Sequence, residues 1–163
     1  MNFLPLGPIL YMKEVFRSFF LVKEIVSKEG KVHFRRWRLL ATPWFNIYIH
    51  NIMRSDEEAH PHDHPWHFLS IILWGGYIER WLGAYEDWAY RDGIRSLRSN
   101  RRLPGTMVYH NAKDFHKITL LKKSAWTLVF TFGKRRTSWG YQTQHGWIDH
   151  RAYRQLKNEG KLR

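Results

Sequence analysis

From Val32 onward the chain alternates side chains with a period of two, and no other feature limits its fold as tightly. Val32-His-Phe-Arg-Arg-Trp-Arg-Leu and Phe45-Asn-Ile-Tyr-Ile-His-Asn-Ile both carry the pattern, with Thr42-Pro43 as punctuation between them. Successive side chains of an extended strand point to opposite faces, so this period predicts strands. Phe68 to Trp74 is a short apolar run, Gly75-Gly76 reads as a hairpin turn, and Tyr77 to Leu82 reads as its returning partner. Residues 106–110, 115–121 and 125–132 predict three more strands, and 147–157 a closing strand and short helix. Many short strands without strand-helix-strand alternation point to a sandwich or barrel. Nine Trp, eight Tyr and ten Phe suit its half-buried pleated surfaces.

One helix is expected ahead of the strands. Between Tyr11 and Lys28, Val15, Phe16, Phe19, Val22 and Val26 recur at helical spacing, and Gly30 stands where a C-terminal cap belongs. The expected organisation is one domain over 1–163, with a helix at 11–28 packed on a barrel of about 32–151. A chain of 163 residues suffices for one core and is short for two. Lys13, Glu14, Arg17, Lys23 and Glu24 break the N-terminal apolar stretch before it reaches membrane-spanning length, and no export signal is read there. Cysteine is absent, which removes disulfides and thiolate chemistry and fits a reducing, cytoplasmic setting.

The residues that suggest chemistry are histidines. His60-Pro-His-Asp-His-Pro-Trp-His67 holds four of the ten. On a strand, residues two apart share a face, so His60 with His62, or His62 with His64, can offer two imidazoles to one ion. Neutral imidazole ligates Fe, Zn, Mn or Ni. A further ligand must come from elsewhere, and His116, opening a strand after a short turn, offers it. Glu79, counted back across the presumed hairpin, pairs near Ile72 and is placed outside the site.

A His-x-His pair before an apolar strand and Gly turn, followed by Leu103-Pro-Gly and the lone His116, resembles the cupin superfamily over about residues 45–135. His62-Asp-His-Pro-Trp66, Gly75-Gly-Tyr-Ile-Glu79, Asp114-Phe-His116 and Trp139-Gly-Tyr141 are similar to small cupins of bacteria and phages. The resemblance implies a mainly β, double-stranded β-helix, or jelly-roll barrel. It makes His62, His64 and His116 the preferred ligands of one divalent transition metal, iron first and Zn, Mn or Ni after it. The cupin motif has a glutamate after its His pair, and none stands at that spacing here. With His60 and His62 as the pair, His67 falls in the carboxylate's place, so His60 and His67 remain candidate ligands.

Lys and Arg number 27 against 14 acidic residues, a net charge of +13, which favours anionic ligands. Arg135 and Arg136, with Trp139, form a candidate clamp for a small anionic substrate, since a guanidinium grips an oxyanion with two parallel bonds. The plainer reading is a basic strand end with Trp139 in the core. No paired carboxylates, phosphate-cradling Gly loop or nucleophile-base pair competes with the metal reading, and no residue is assigned to catalysis itself. The cupin resemblance implies a range of dioxygenases, isomerases and binding proteins, and with an open metal position the expected function is a metal-dependent, oxygenase-like enzyme. The alternative is a non-catalytic scaffold that binds nucleotides, nucleic acid or another polyanion, with basic and aromatic residues interleaved from Tyr85 to Arg102. Exposed edge strands would allow a homodimer.

Overall fold

Eleven strands and one helix make up a computed structural model that describes residues 23–26, 30–56, 58–82 and 98–162. In chain order they are β1 (Lys23–Val26), β2 (Val32–Ala41), β3 (Phe45–Ile52), β4 (His67–Trp74), β5 (Tyr77–Leu82), β6 (Arg98–Arg102), β7 (Met107–His110), β8 (Phe115–Leu120), β9 (Ala125–Phe132), β10 (Gly140–Thr143), β11 (Gly146–Asp149) and α1 (His150–Asn158). The segments read as strands thus became β2, β3, β4, β5, β7, β8 and β9. Most of the helix expected at 11–28 lies outside the described residues. Where it is described, at Lys23–Val26, the chain is a strand paired antiparallel with β2, Ile25 opposite Phe34. Pairing with an existing β edge overrides helical spacing there. α1, at the other end, is the only helix among the described residues.

The large sheet runs β1-β2-β3-β9-β4-β7, and each neighbouring pair is antiparallel. Facing it are β6-β5-β8 and the β10-β11 ribbon. Single-residue bridges of His62 to His116 on β8 and to Tyr141 on β10 join these two pieces. The sheets meet through Ile72, Val108 and Ala125 on one side and Tyr77 and Ile118 on the other, an apolar layer that closes one end of the interior. At the other end Tyr48, Phe68 and Val129 pack together, with Trp66 against them.

Gly75-Gly76 does not close a hairpin within one sheet. β4 pairs with β9 and β7, whereas β5 pairs with β6 and β8, so the turn carries the chain from one sheet to the other. Both glycines have positive φ, and a Cβ on Gly75 would stand 2.1 Å from the Ser124 carbonyl oxygen. The corner can be this tight only because no side chain is there.

Candidate metal centre

The segment carrying the histidines is threaded between β8 and β10 by backbone hydrogen bonds. His62 N donates to His116 O and His116 N to His62 O, both at 3.0 Å, and Gln142 N donates to Pro61 O at 2.9 Å. Asp63 N donates to Gly140 O and His64 N to Ala112 O. An extended path then puts His62 and His64 on one face and Asp63 on the other. Asp63 is buried and accepts from Gly140 N at 2.6 Å and from Arg136 at 2.9 Å.

The ligand atoms of His62, His64 and His116 all lie within 4.8 Å of one another. Their ring centroids are 4.8 to 5.1 Å apart, and Nε2 of His64 stands 2.7 Å from Nε2 of His116. Burial lowers the pKa of His62 to about 4, and burial followed by the neighbouring imidazoles lowers that of His64 well below the ordinary value. Both are therefore neutral near pH 7 and keep a ring lone pair to share.

Behind His116 stands Glu79, wholly buried on β5. Its Oε1 lies 2.6 Å from His116 Nδ1 and 2.9 Å from His110 Nε2, and its Oε2 accepts from Arg102 Nε at 2.8 Å. Burial alone would raise this carboxyl's pKa, but the hydrogen bonds and charge of His110 and His116 outweigh it, and the group is held well below the usual carboxylate range. An ionised carboxylate only accepts, so His116 donates from Nδ1, and Nε2 is the nitrogen it turns toward His62 and His64.

No family model matches the sequence, and no curated protein matches it. Solved structures do. HppE in its Fe(II) form superposes with a TM-score of 0.54 at 12% identity, over 80% of this chain and 61% of that one. The DMSP lyase DddQ from Ruegeria pomeroyi DSS-3 gives 0.52 at 14%, over 83% and 69%. KdgF from Halomonas sp. gives 0.50 at 14%, over 72% and 95%. This chain thus spans less than two thirds of the HppE chain. The fold is that of the cupins.

Within this cupin barrel the sequence candidates separate. His62, His64 and His116 converge. His60 points to α1, its Nδ1 3.0 Å from the Tyr153 hydroxyl. His67 opens β4, and its Nδ1 accepts from Ala112 N at 3.2 Å and faces the Tyr109 hydroxyl at 3.3 Å. Neither joins the cluster. Arg136 is engaged by Asp63 and by the carbonyls of His64 and Ala112, so it staples the His-bearing segment and is not presented as an anion clamp. Trp139 stacks on His150 with centroids 4.5 Å apart and lies edge-on to His62 at 6.1 Å. Arg135 holds its guanidinium 5.7 Å from the Trp66 ring.

Glu79 moves the other way. Its strand pairs with β8, placing it opposite Ile118 and diagonal to His116, so a count across a β4-β5 hairpin does not apply. A signal was present: Glu79 alternates with Tyr77 and Trp81, and an acid among inward aromatics needs buried partners. His110, from β7, gave no comparable sign. Three convergent imidazoles, one with its outer nitrogen fixed by a carboxylate, form a donor set that fits Fe, Zn or Ni. Of the basic and aromatic stretch, residues 83–97 lie outside the described residues. No helix among the described residues is long and apolar enough to cross a membrane.

Proposed function

We propose that this chain is a metal-dependent enzyme that holds one divalent transition ion through His62, His64 and His116 and acts on a small anionic substrate. The observation that carries the reading is the convergence of these imidazoles, backed by Glu79 on the far nitrogen of His116. Iron is the preferred ion and oxygenation the preferred reaction: held by His62, His64 and His116, Fe(II) would supply redox chemistry toward O₂. The likeness to HppE in its Fe(II) form and to a DMSP lyase supports enzymatic use of this fold. The chain's own part is to keep His116 oriented through Glu79 and to wall His62 with Trp139 and Tyr141, whose rings lie 6.1 and 5.8 Å from it.

Tag-free protein, stripped with chelator and reloaded separately with Fe(II), Zn(II), Mn(II) and Ni(II), is expected to retain roughly one ion per chain for at least one metal. His116→Ala should abolish retention. Native protein that keeps no ion after reloading sinks the reading. The net charge of +13 also supports a polyanion-binding scaffold. Its signature would be nucleic-acid binding that survives chelation and falls steeply with salt.

A further inference from the structure

A concavity of about 540 Å³ opens on the inner side of the large sheet. Its walls include Lys23 of β1, Arg36 and Arg38 of β2, Tyr48 of β3, and Trp66 and Arg135 from the flanking loops, with no carboxylate among the described lining residues. Arg36 and Arg38 reach it together because they are two apart on one strand, opposite His50 and Tyr48 of β3.

The two guanidiniums are set up differently. Arg36 donates from Nε to Nε2 of His50 at 2.9 Å and lies 4.9 Å from the Tyr48 ring centre, so its position is fixed. His50 can accept because burial, and then the Arg36 charge, hold its pKa well below the ordinary value. Arg38 is the reverse case: its Nε is buried and has no hydrogen-bond partner. Folded interiors leave few donors in that condition, since each costs the hydration it has lost. Burial also lowers the pKa of Arg36; Tyr48 acts the other way, and the Arg38 charge lowers it again. Clustered cations and an unmatched donor are both relieved by an anion in the cavity.

We propose that this cavity binds the dianionic head of a small phosphate- or phosphonate-bearing molecule, with Arg36 and Arg38 gripping its oxygens and Tyr48 and Trp66 covering its apolar body. Four cations around one space are more than a single carboxylate requires, whereas a dianionic head with three oxygens can engage more than one guanidinium fork. Tyr48 packs on Phe68, and the Phe68 ring lies 4.8 Å from that of His64, so one aromatic layer connects cavity and histidines. The proposal names the substrate class of the enzyme reading and rests on that reading only for the step from binding to turnover.

The test is calorimetric titration of the whole chelator-stripped chain with phenyl phosphate, phenylphosphonate and benzoate. Both dianions should saturate, with benzoate about tenfold weaker or worse. Arg38→Gln should weaken phenyl phosphate by about 10- to 100-fold. Lys122→Gln, outside the cavity wall, should leave it unchanged. Equal affinity for benzoate, unchanged affinity in Arg38→Gln, absence of saturation, or binding that requires added metal would each overturn the proposal. If Arg38→Gln does not fold, Arg135→Gln decides, because Arg135 is exposed and lines the same cavity. A tenfold or greater loss there supports the site and an unchanged affinity rejects it. Stripped protein separates the two ideas: failure to retain metal removes the enzyme reading alone, and failure here removes the cavity alone.

Discussion

Replacing Glu79 with glutamine tests whether the buried carboxylate orients His116 or merely fills space. The native oxygens serve three donors, His110 and His116 on Oε1 and Arg102 on Oε2. An amide has one oxygen, so one side must set N–H against N–H. With the oxygen toward the histidines, Arg102 loses a charge-assisted partner, a cost of about 1.5 to 3 kcal/mol. With the NH₂ toward them, His116 must accept at Nδ1, and the proton moves to Nε2, where the ion would bind. Either arrangement destabilises the fold, by about 3 kcal/mol allowing for a buried pair that is broken from one side. Only the second removes a ligand lone pair. The expected loss of metal affinity is about 10- to 100-fold, the usual range for a carboxylate behind a metal-bound histidine, or about 1.4 to 2.7 kcal/mol. Competition titration against a coloured chelator gives the affinity and urea unfolding gives the stability. Arg102→Gln is the companion variant, expected to lose stability while holding metal within about threefold of native. If both Glu79→Gln and Glu79→Leu, which offers His116 no acceptor at all, lose stability but bind metal as tightly as native protein, the orienting role is refuted.

Three further outcomes follow from contacts in the barrel. His60→Ala should keep full metal stoichiometry and lose about 1 kcal/mol with the Tyr153 hydrogen bond, whereas His64→Ala should lose the ion, both read by metal analysis beside a thermal melt. Arg136→Ala leaves Asp63 buried with one remaining hydrogen bond, and urea unfolding should show a loss of about 2 to 3 kcal/mol, below the fully buried limit because Arg136 is partly exposed. Gly75→Ala puts a Cβ into the Ser124 carbonyl at a positive φ, and chemical denaturation should show a loss of at least about 2 kcal/mol.

The strands could be read from the sequence because a period of two and glycine turns mark them, and β3, β5 and β9 begin and end where those readings put them. The His62-His64 face could be read for the same reason, while the choice between that pair and His60-His62 could not. It depends on the bridge between His62 and His116, a contact across 54 positions that local spacing does not encode. The same gap explains Glu79. Two glycines between two strands make a hairpin the simplest local reading, and only the non-local pairing of β5 with β8 turns the glutamate toward the histidines. The helix expected at 11–28 fails differently: where the chain is described, at Lys23–Val26, pairing with the edge of β2 takes the place of helical spacing.

The phase of the alternation carries the strongest link between fold and function. On β9 the fully buried positions are Ala125, Thr127, Val129 and Thr131, while Trp126, Leu128, Phe130 and Phe132 are only partly buried. Hydrophobicity alone would have placed the second set inward. The pairing fixes the opposite phase, because Thr127 lies opposite His50, Val129 opposite Tyr48 and Thr131 opposite Asn46, with Arg36 and Arg38 one strand further on. The inner surface therefore carries hydroxyls, amides, an imidazole and two guanidiniums, and its largest apolar layer is confined to the end around Ile72 and Tyr77. Polar side chains cost free energy inside a barrel unless they are paired, and most of these are. Asn46 donates to Thr131 and Arg36 to His50, while Arg38 Nε has no partner. A chain that needed only a stable core would have put the tryptophan and phenylalanines of β9 inside. Turning them outward leaves a polar, basic interior beside three convergent histidines, which suits a ligand that carries negative charge.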